Sequence, residues 1–197
     1  MFYKIQLIII TFICFLLLSS CQKTEFLDEV VFDNTLLNNI SLNAEKKEIN
    51  VSYETTFNES YIDHVLEISP TKRIISWLEN NINNFGTLNK IVIDVQRASI
   101  IRKEIDSEIK VNIGGITKKQ KEYLYELKFE VLFLLYNDSD QILSTTIVEI
   151  FRSTTSSQFI SLNERNNILD NLILDSLTDL SNKSVELLKI HMKEYIL

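Results

Sequence analysis

The sequence predicts an α+β fold, a small, mainly antiparallel sheet of about four strands covered on one face by two helices, the C-terminal one long. Three observations carry that expectation. From Tyr123 to Tyr136, the residues Tyr123, Tyr125, Leu127, Phe129, Val131, Phe133 and Leu135 share one face while Glu126, Lys128 and Glu130 take the other, the period-two signature of a half-buried strand. Asn137-Asp138-Ser139-Asp140 then supplies hairpin-turn chemistry, without the usual glycine, before a β-branched return strand from Ile142 to Arg152. Apolar residues also recur at helical spacing behind Ser69-Pro70 and again behind Ser161-Leu162-Asn163-Glu164.

Taken in chain order, the first element stands outside this fold. Lys4 is the only charge in residues 1–20, the run from Leu7 to Leu18 is interrupted only by Thr11, and Ser19 and Ser20 precede Cys21. A positive n-region, a short apolar h-region and small residues at the cut make a signal peptide. An apolar run of this length falls short of the roughly 20 residues a transmembrane helix needs. A buried N-terminal helix or an uncleaved anchor is the competing reading, but the run has neither a capping residue nor an amphipathic face. Leu18-Ser19-Ser20-Cys21 reads as a bacterial lipobox, with cleavage between Ser20 and Cys21 and lipidation of Cys21.

Residues 21–47 read as a lipid-anchored tether leading to a candidate edge strand near Ile40 to Ala44, and residues 48–197 as a single α+β domain. Ile49, Val51, Tyr53 and Thr55 alternate with polar neighbours as a strand with one buried face. Asn58 to Ile68 is irregular, with Tyr61, Val65 and Leu66 expected to pack down. A helix begins at Ser69-Pro70, since serine caps free amides and proline at the first position has no amide to lose. Its stripe is Ile74, Leu78, Ile82 and Phe85, flanked by Ile75 and Trp77, and Gly86 is expected to end it in a left-handed turn.

Ile91, Ile93 and Val95 predict a strand running on through Ile100, followed by a charged loop over 104–120 that holds Gly114-Gly115. No phosphate-cradling glycine pattern surrounds that pair. At the C-terminal end, Ser161 and Glu164 form a capping box. The helix behind it runs through Ile168, Leu169, Leu172, Ile173, Leu177 and Leu180, then Leu187, Leu188 and Ile190, with Ser181-Asn182 as its candidate kink.

Charge and composition narrow the function classes. The chain has 20 basic and 27 acidic residues. Loss of Lys4 with the signal leaves 19 against 27, or −8, over 177 residues. Such a dispersed acidic balance excludes a nucleic-acid partner, whose phosphates need clustered cations, and offers no polybasic patch for lipid heads. Cys14 leaves with the signal and Cys21 is consumed by lipid, so no disulfide or thiol ligand remains. His64 and His191 fall in unrelated contexts, neither in a metal spacing, and no G-x-S-x-G elbow is present. The sequence therefore predicts no catalytic residues, no cofactor, no metal and no enzyme activity.

Several short motifs carry a family resemblance over roughly residues 65–195. They are Ser69-Pro70 with the Trp77 helix, the strand Ile91 to Ser99, Gln120 and Tyr123 leading a long strand, Phe151-Arg152-Ser153-Thr154, and Ser161-Leu162-Asn163-Glu164-Arg165. In these the chain resembles an uncharacterised family of alphaproteobacterial envelope lipoproteins, a likeness that implies no known reaction. More loosely it is similar to the auxiliary lipoproteins of ABC-type envelope lipid transport and to the lipopolysaccharide-assembly lipoprotein. It departs from the auxiliary family in having Glu25-Phe26-Leu27 where that family has a Tyr-Leu-Leu segment.

The lipoprotein pathway implies a diacylglyceryl group on Cys21 and a further acyl chain of the palmitate type. That expectation places the chain on the periplasmic side of a bacterial membrane, and Gln22, where Asp signals inner-membrane retention, favours the outer membrane. The expected role is a non-catalytic binding module with an envelope protein partner in assembly or lipid transport. The alternatives are a carrier holding an apolar ligand between helix and sheet, on the strength of the Tyr123–Leu135 face, and an envelope hydrolase.

Overall fold

Two long alternating segments joined by a short turn dictate the sheet. The computed structural model describes residues 30–113 and 116–197. The predicted signal peptide with Ser20 and Cys21, and the Gly114-Gly115 pair, lie outside the described residues, and for 107–113 and 116–120 only the backbone is described. In chain order the elements are β1 (Ile40–Leu42), β2 (Lys46–Val51), α1 (Pro70–Asn81), β3 (Ile82–Asn84), β4 (Lys90–Ile113), β5 (Ile116–Tyr136), β6 (Ile142–Ser157) and α2 (Leu162–His191). The main sheet has the order β2-β4-β5-β6. β4, β5 and β6 are antiparallel neighbours and β2 lies parallel to β4. The class, the mainly antiparallel four-stranded sheet and the long C-terminal helix match the sequence expectation.

The turn between β5 and β6 works without glycine because Asn137 builds it. Its side-chain oxygen accepts hydrogen bonds from the amides of Ser139 and Gln141, each at 2.9 Å, and Asp140 takes the left-handed conformation at φ 56°. On one face of the sheet Ile91, Ile93, Val95, Tyr125, Leu127, Phe129, Val131, Phe133, Leu135, Val148 and Ile150 are buried. The buried stripe of α2, from Leu169 through Ile173, Leu177 and Leu180 to Leu188, belongs to the same core.

Parallel strands need a crossover of a dozen or more residues, and this chain supplies two parallel pairs with one crossover. β1 pairs with β3 and β2 with β4, so residues 52–81, which include α1, connect both pairs at once. The candidate edge strand near Ile40 therefore exists, but in a separate two-stranded sheet with β3. Leu37, Ile40, Leu42 and Ala44 are all buried in the common core.

α1 starts as its residues require. Ser69 Oγ accepts from the Lys72 amide at 3.4 Å, and Pro70 sits inside the start. Ile74, Trp77 and Leu78 are buried. Its end differs from expectation. The helix stops at Asn81, Ile82 turns extended into β3, and Phe85 is exposed. The stop is made by a cation, because Lys47 Nζ donates to the carbonyls of Leu78, Glu79 and Ile82 at 3.1, 3.2 and 2.6 Å. Burial there pulls the Lys47 ammonium below its ordinary pKa, opposed by the nearby Glu79 charge. Gly86 instead lets two backbones approach closely, because a Cβ on it would lie 2.6 Å from the Ala44 amide nitrogen and 2.7 Å from the Asn43 carbonyl carbon.

α2 opens on Ser161, whose Oγ accepts from the Glu164 amide at 3.1 Å. Replacing Ser161 with Ala is expected to lower unfolding free energy by about 1 kcal/mol, read as a lower denaturation midpoint at unchanged slope. The helix continues without a break through Ser181-Asn182. Ser181 is a docking point and not a kink, since its Oγ accepts from the Asn38 amide at 2.8 Å.

Other expectations are corrected. Residues 104–113 and 116–120 are strand and not loop, since β4 and β5 carry their pairing out to Ile113 and Ile116. Beyond the Glu122–Ser157 pair, where β6 stops, these two strands are a two-stranded ribbon. The alternation of Ile109, Val111 and Ile113 with Glu108, Lys110 and Asn112 is the strand signal there, masked in the sequence by the density of charge and the glycine pair. Val51 and Val65 are exposed because β2 ends at Val51 and the following segment buries Ile62 and Asp63 instead. Ile190 is exposed, as the buried stripe at that end of α2 passes through Leu188.

Candidate functional site

The site arises where β2 gives out. After Ser52 and Tyr53 donate to the Val95 carbonyl, the chain leaves the β4 edge and returns to it further along. There the Ile62 amide donates to Ile100 O at 3.0 Å and the Arg102 amide to Ser60 O at 2.7 Å. Asn58 Oδ1 tightens the approach by accepting from the amides of Ser60 and Tyr61. Asp63 fastens the far side. It is buried, and its Oδ2 accepts from the Tyr53 hydroxyl at 3.1 Å. Burial, with the Asp63 charge beside it, pushes the Tyr53 phenol well above its ordinary pKa, so Tyr53 stays a donor.

Between this segment, the helix-covered face of β4 and β5, and the first turns of α2 lies a cavity of about 230 Å³. Ile62, Leu66, Tyr125 and Leu169 give it an apolar lining, and Arg102, Arg165, Glu59 and His64 a polar one. Arg102 owes its place to an irregularity in β4. The register against β5 shifts between Val95 and Arg97, a β-bulge at Gln96. Before it the fully buried residues are Ile91, Ile93 and Val95; after it they are Ala98 and Ile100, while Val92 and Ser99 of the other parity keep slight exposure. That change of parity turns Arg102 toward the covered face. Its guanidinium lies 4.9 Å over the Tyr123 ring and donates to Glu59 O at 3.5 Å. Arg165 stands one helical turn before the buried Leu169 on α2, so the two line the cavity together.

The two arginines, like Arg97, differ from the ion-paired cations of the sheet. Arg152 is engaged by Asp175 at 2.9 Å and Asp179 at 2.6 Å, and the Asp179 bond raises its pKa. Lys90, Lys103, Lys121 and Lys128 are also ion-paired. Among the described residues, neither Arg102 nor Arg165 has a carboxylate partner, and Arg165 Nε is buried without any hydrogen bond. Two unpaired guanidinium groups beside an apolar wall can hold an anion through charge-assisted, bidentate bonds.

The residues singled out from sequence fare differently. Cys21 and Ser20 fall outside the described residues. His64, incidental by its sequence context, lines the cavity with its ring 5.2 Å from that of Phe57. His191 ends α2 and is exposed, its carbonyl accepting from Ser144 Oγ. Among the described residues no hydroxyl or carboxylate is hydrogen-bonded to either imidazole, so the geometry a hydrolase triad needs is not assembled. The Tyr123–Leu135 face, from Tyr125 onward, is fully buried under the helices, which leaves no lipid-sized space between helix and sheet there. Among the described residues no cluster of three or more His, Cys, Asp or Glu is arranged to hold a metal ion, and no helix is long and apolar enough to cross a membrane.

Arg102 and Arg165 were legible in principle. The switch from odd to even apolar positions between Val95 and Ala98 announces the bulge, and Arg165 precedes Leu169 by one turn.

No family model and no curated protein matches the chain. Among solved structures it is similar to a minor lipoprotein from Acinetobacter baumannii, at 12% identity and a TM-score of 0.39, over 77% of this chain and 93% of that one. A DUF330 protein from Xanthomonas campestris gives 11% identity and a TM-score of 0.39, over 83% and 92%. A neuraminyllactose-binding hemagglutinin homologue from Helicobacter pylori gives 8% identity and a TM-score of 0.35, over 85% of this chain and 96% of that one.

Proposed function

We propose that the chain is a lipoprotein held through Cys21 on the periplasmic side of a bacterial outer membrane, where its α+β domain acts as a non-catalytic binding module for an envelope protein partner in assembly or lipid transport. The Leu18-Ser19-Ser20-Cys21 motif supports the address. The observation that carries the binding role is the cavity with its two unpaired arginines, a lining suited to holding a ligand and lacking an activated nucleophile among the described residues. Two acyl chains or more on Cys21 suffice for stable attachment, because each buried methylene contributes about 0.8 kcal/mol and a single chain holds only marginally.

In-membrane crosslinking followed by mass spectrometry tests the reading, with Cys21→Ala as the comparison. Wild type is expected in the membrane fraction, labelled by radioactive palmitate and crosslinked to a specific envelope protein. Cys21→Ala is expected to lose the label and to appear as soluble protein or uncleaved precursor. Normal labelling of the variant would refute lipidation at Cys21. Recovery of no envelope protein above background would refute the partner.

A further inference from the structure

Resting on the binding role just described, we infer that the cavity between residues 58–66, Arg102 and the first turns of α2 is a site for a single-chain carboxylate: one anionic head on the two guanidinium groups and a short apolar body against Ile62, Leu66 and Leu169. The charge argument comes first. In a chain of net charge −7, two arginines meet at one cavity without a carboxylate partner among the described residues, and one of them keeps a buried N–H unpaired. A buried donor left unsatisfied is costly, and more so on a charged group. An anion entering the cavity gains charge-assisted bonds, stronger than neutral ones, from the guanidinium N–H groups that line it. Burial on the Arg165 side, and the position of Arg102 over Tyr123, hold both heads in place before any ligand arrives.

Size and lining then select the class. About 230 Å³ accommodates roughly eight groups of the volume of a water molecule. It lies below the range of about 300–1,000 Å³ typical of drug-sized ligands. A two-chain phospholipid does not fit. An inorganic anion leaves the Ile62, Leu66 and Leu169 wall uncovered. A carboxylate bearing about eight carbons fills the space and satisfies the charge. Glu59, also in the lining, opposes an anionic head, but its single charge is outweighed by the two guanidinium groups.

The probe is 3-(4-fluorophenyl)propionate, followed by fluorine NMR against the lipidated full chain in nanodiscs, with empty discs of the same composition subtracted. Its neutral counterpart, 3-(4-fluorophenyl)propan-1-ol, carries the same body without the charge, and fluoroacetate carries the charge without the body. Saturable binding is expected for the first, at least about ten-fold weaker binding for the second and none for the third. Arg165→Gln and Arg102→Gln are each expected to weaken the propionate by about ten-fold or more, with unchanged thermal unfolding showing that both variants fold. Equal binding of acid and alcohol, or affinity untouched by both substitutions, would overturn the inference. A protein that stays anchored and crosslinks its partner while ignoring the acid overturns the ligand alone. One that binds the acid yet carries no lipid and finds no partner overturns the envelope role alone.

Discussion

Trp77→Ala is expected to lower unfolding free energy by about 3–5 kcal/mol, enough to remove a large share of a small domain's stability. The indole is fully buried on α1, flanked in the core by Ile74 and Leu78. Truncation empties a volume that helix and sheet backbones close only in part, so a cavity penalty adds to the lost transfer energy. A second variant sharpens the claim. Trp77 Nε1 is buried with no hydrogen-bond partner, so the ring's shape and not its N–H holds the core. Trp77→Phe keeps most of the ring and deletes the unsatisfied donor, and is expected to cost much less than the alanine. Urea unfolding of the three proteins reads both effects. An alanine variant as stable as wild type would place Trp77 outside the core, and a phenylalanine variant as damaged as the alanine would show that the N–H is bonded.

Gly86→Ala is expected to cost about 1–3 kcal/mol or somewhat more, a large effect for one methyl group. The added carbon would meet the Asn43 carbonyl carbon at 2.7 Å and the Ala44 amide nitrogen at 2.6 Å, main-chain atoms that no rotamer change can move. Gly86 also donates from its own amide to Ala44 O at 3.0 Å, so displacement breaks the bond that ties together the segments leaving β1 and β3. Asparagine distinguishes the two roles a glycine can play here. A left-handed helix stop tolerates Asn, whereas a close approach of two backbones does not. Gly86→Asn is therefore expected to be at least as unstable as Gly86→Ala in calorimetry. Recovery by Asn would restore the helix-ending role.

What the sequence discloses follows from how much each pattern owes to neighbours in the chain. Tyr123 to Leu135 reads correctly because its alternation faces a helix-covered core along the whole run. Ser69-Pro70 and Ser161 read correctly because a cap is settled within four residues. The end of α1 does not, since Lys47 reaches it from 31 residues away and leaves no local signal. The parallel pairing of β1 with β3 and β2 with β4 is hidden for the same reason, and the extension of β4 to Ile113 and of β5 from Ile116 is hidden by a charge density that imitates a loop. At the site, Cys21 stands in a linear motif and is named at once. Arg102 and Arg165 stand far apart in sequence and meet only after a bulge rotates one strand by a residue.

The pairing of β1 has a consequence for the order of events during synthesis. Residues 34–51 leave the ribosome well before their partners, since β1 pairs with β3 some 42 residues later, at Ile40 with Ile82, and its Leu42 bridges to Ile196. The hairpins β4–β5–β6, by contrast, join neighbours across short turns and form soon after they emerge. Vectorial synthesis thus runs against the contact order of the fold. The first of these core segments to be made waits, with its pairing incomplete, until Ile196 has emerged.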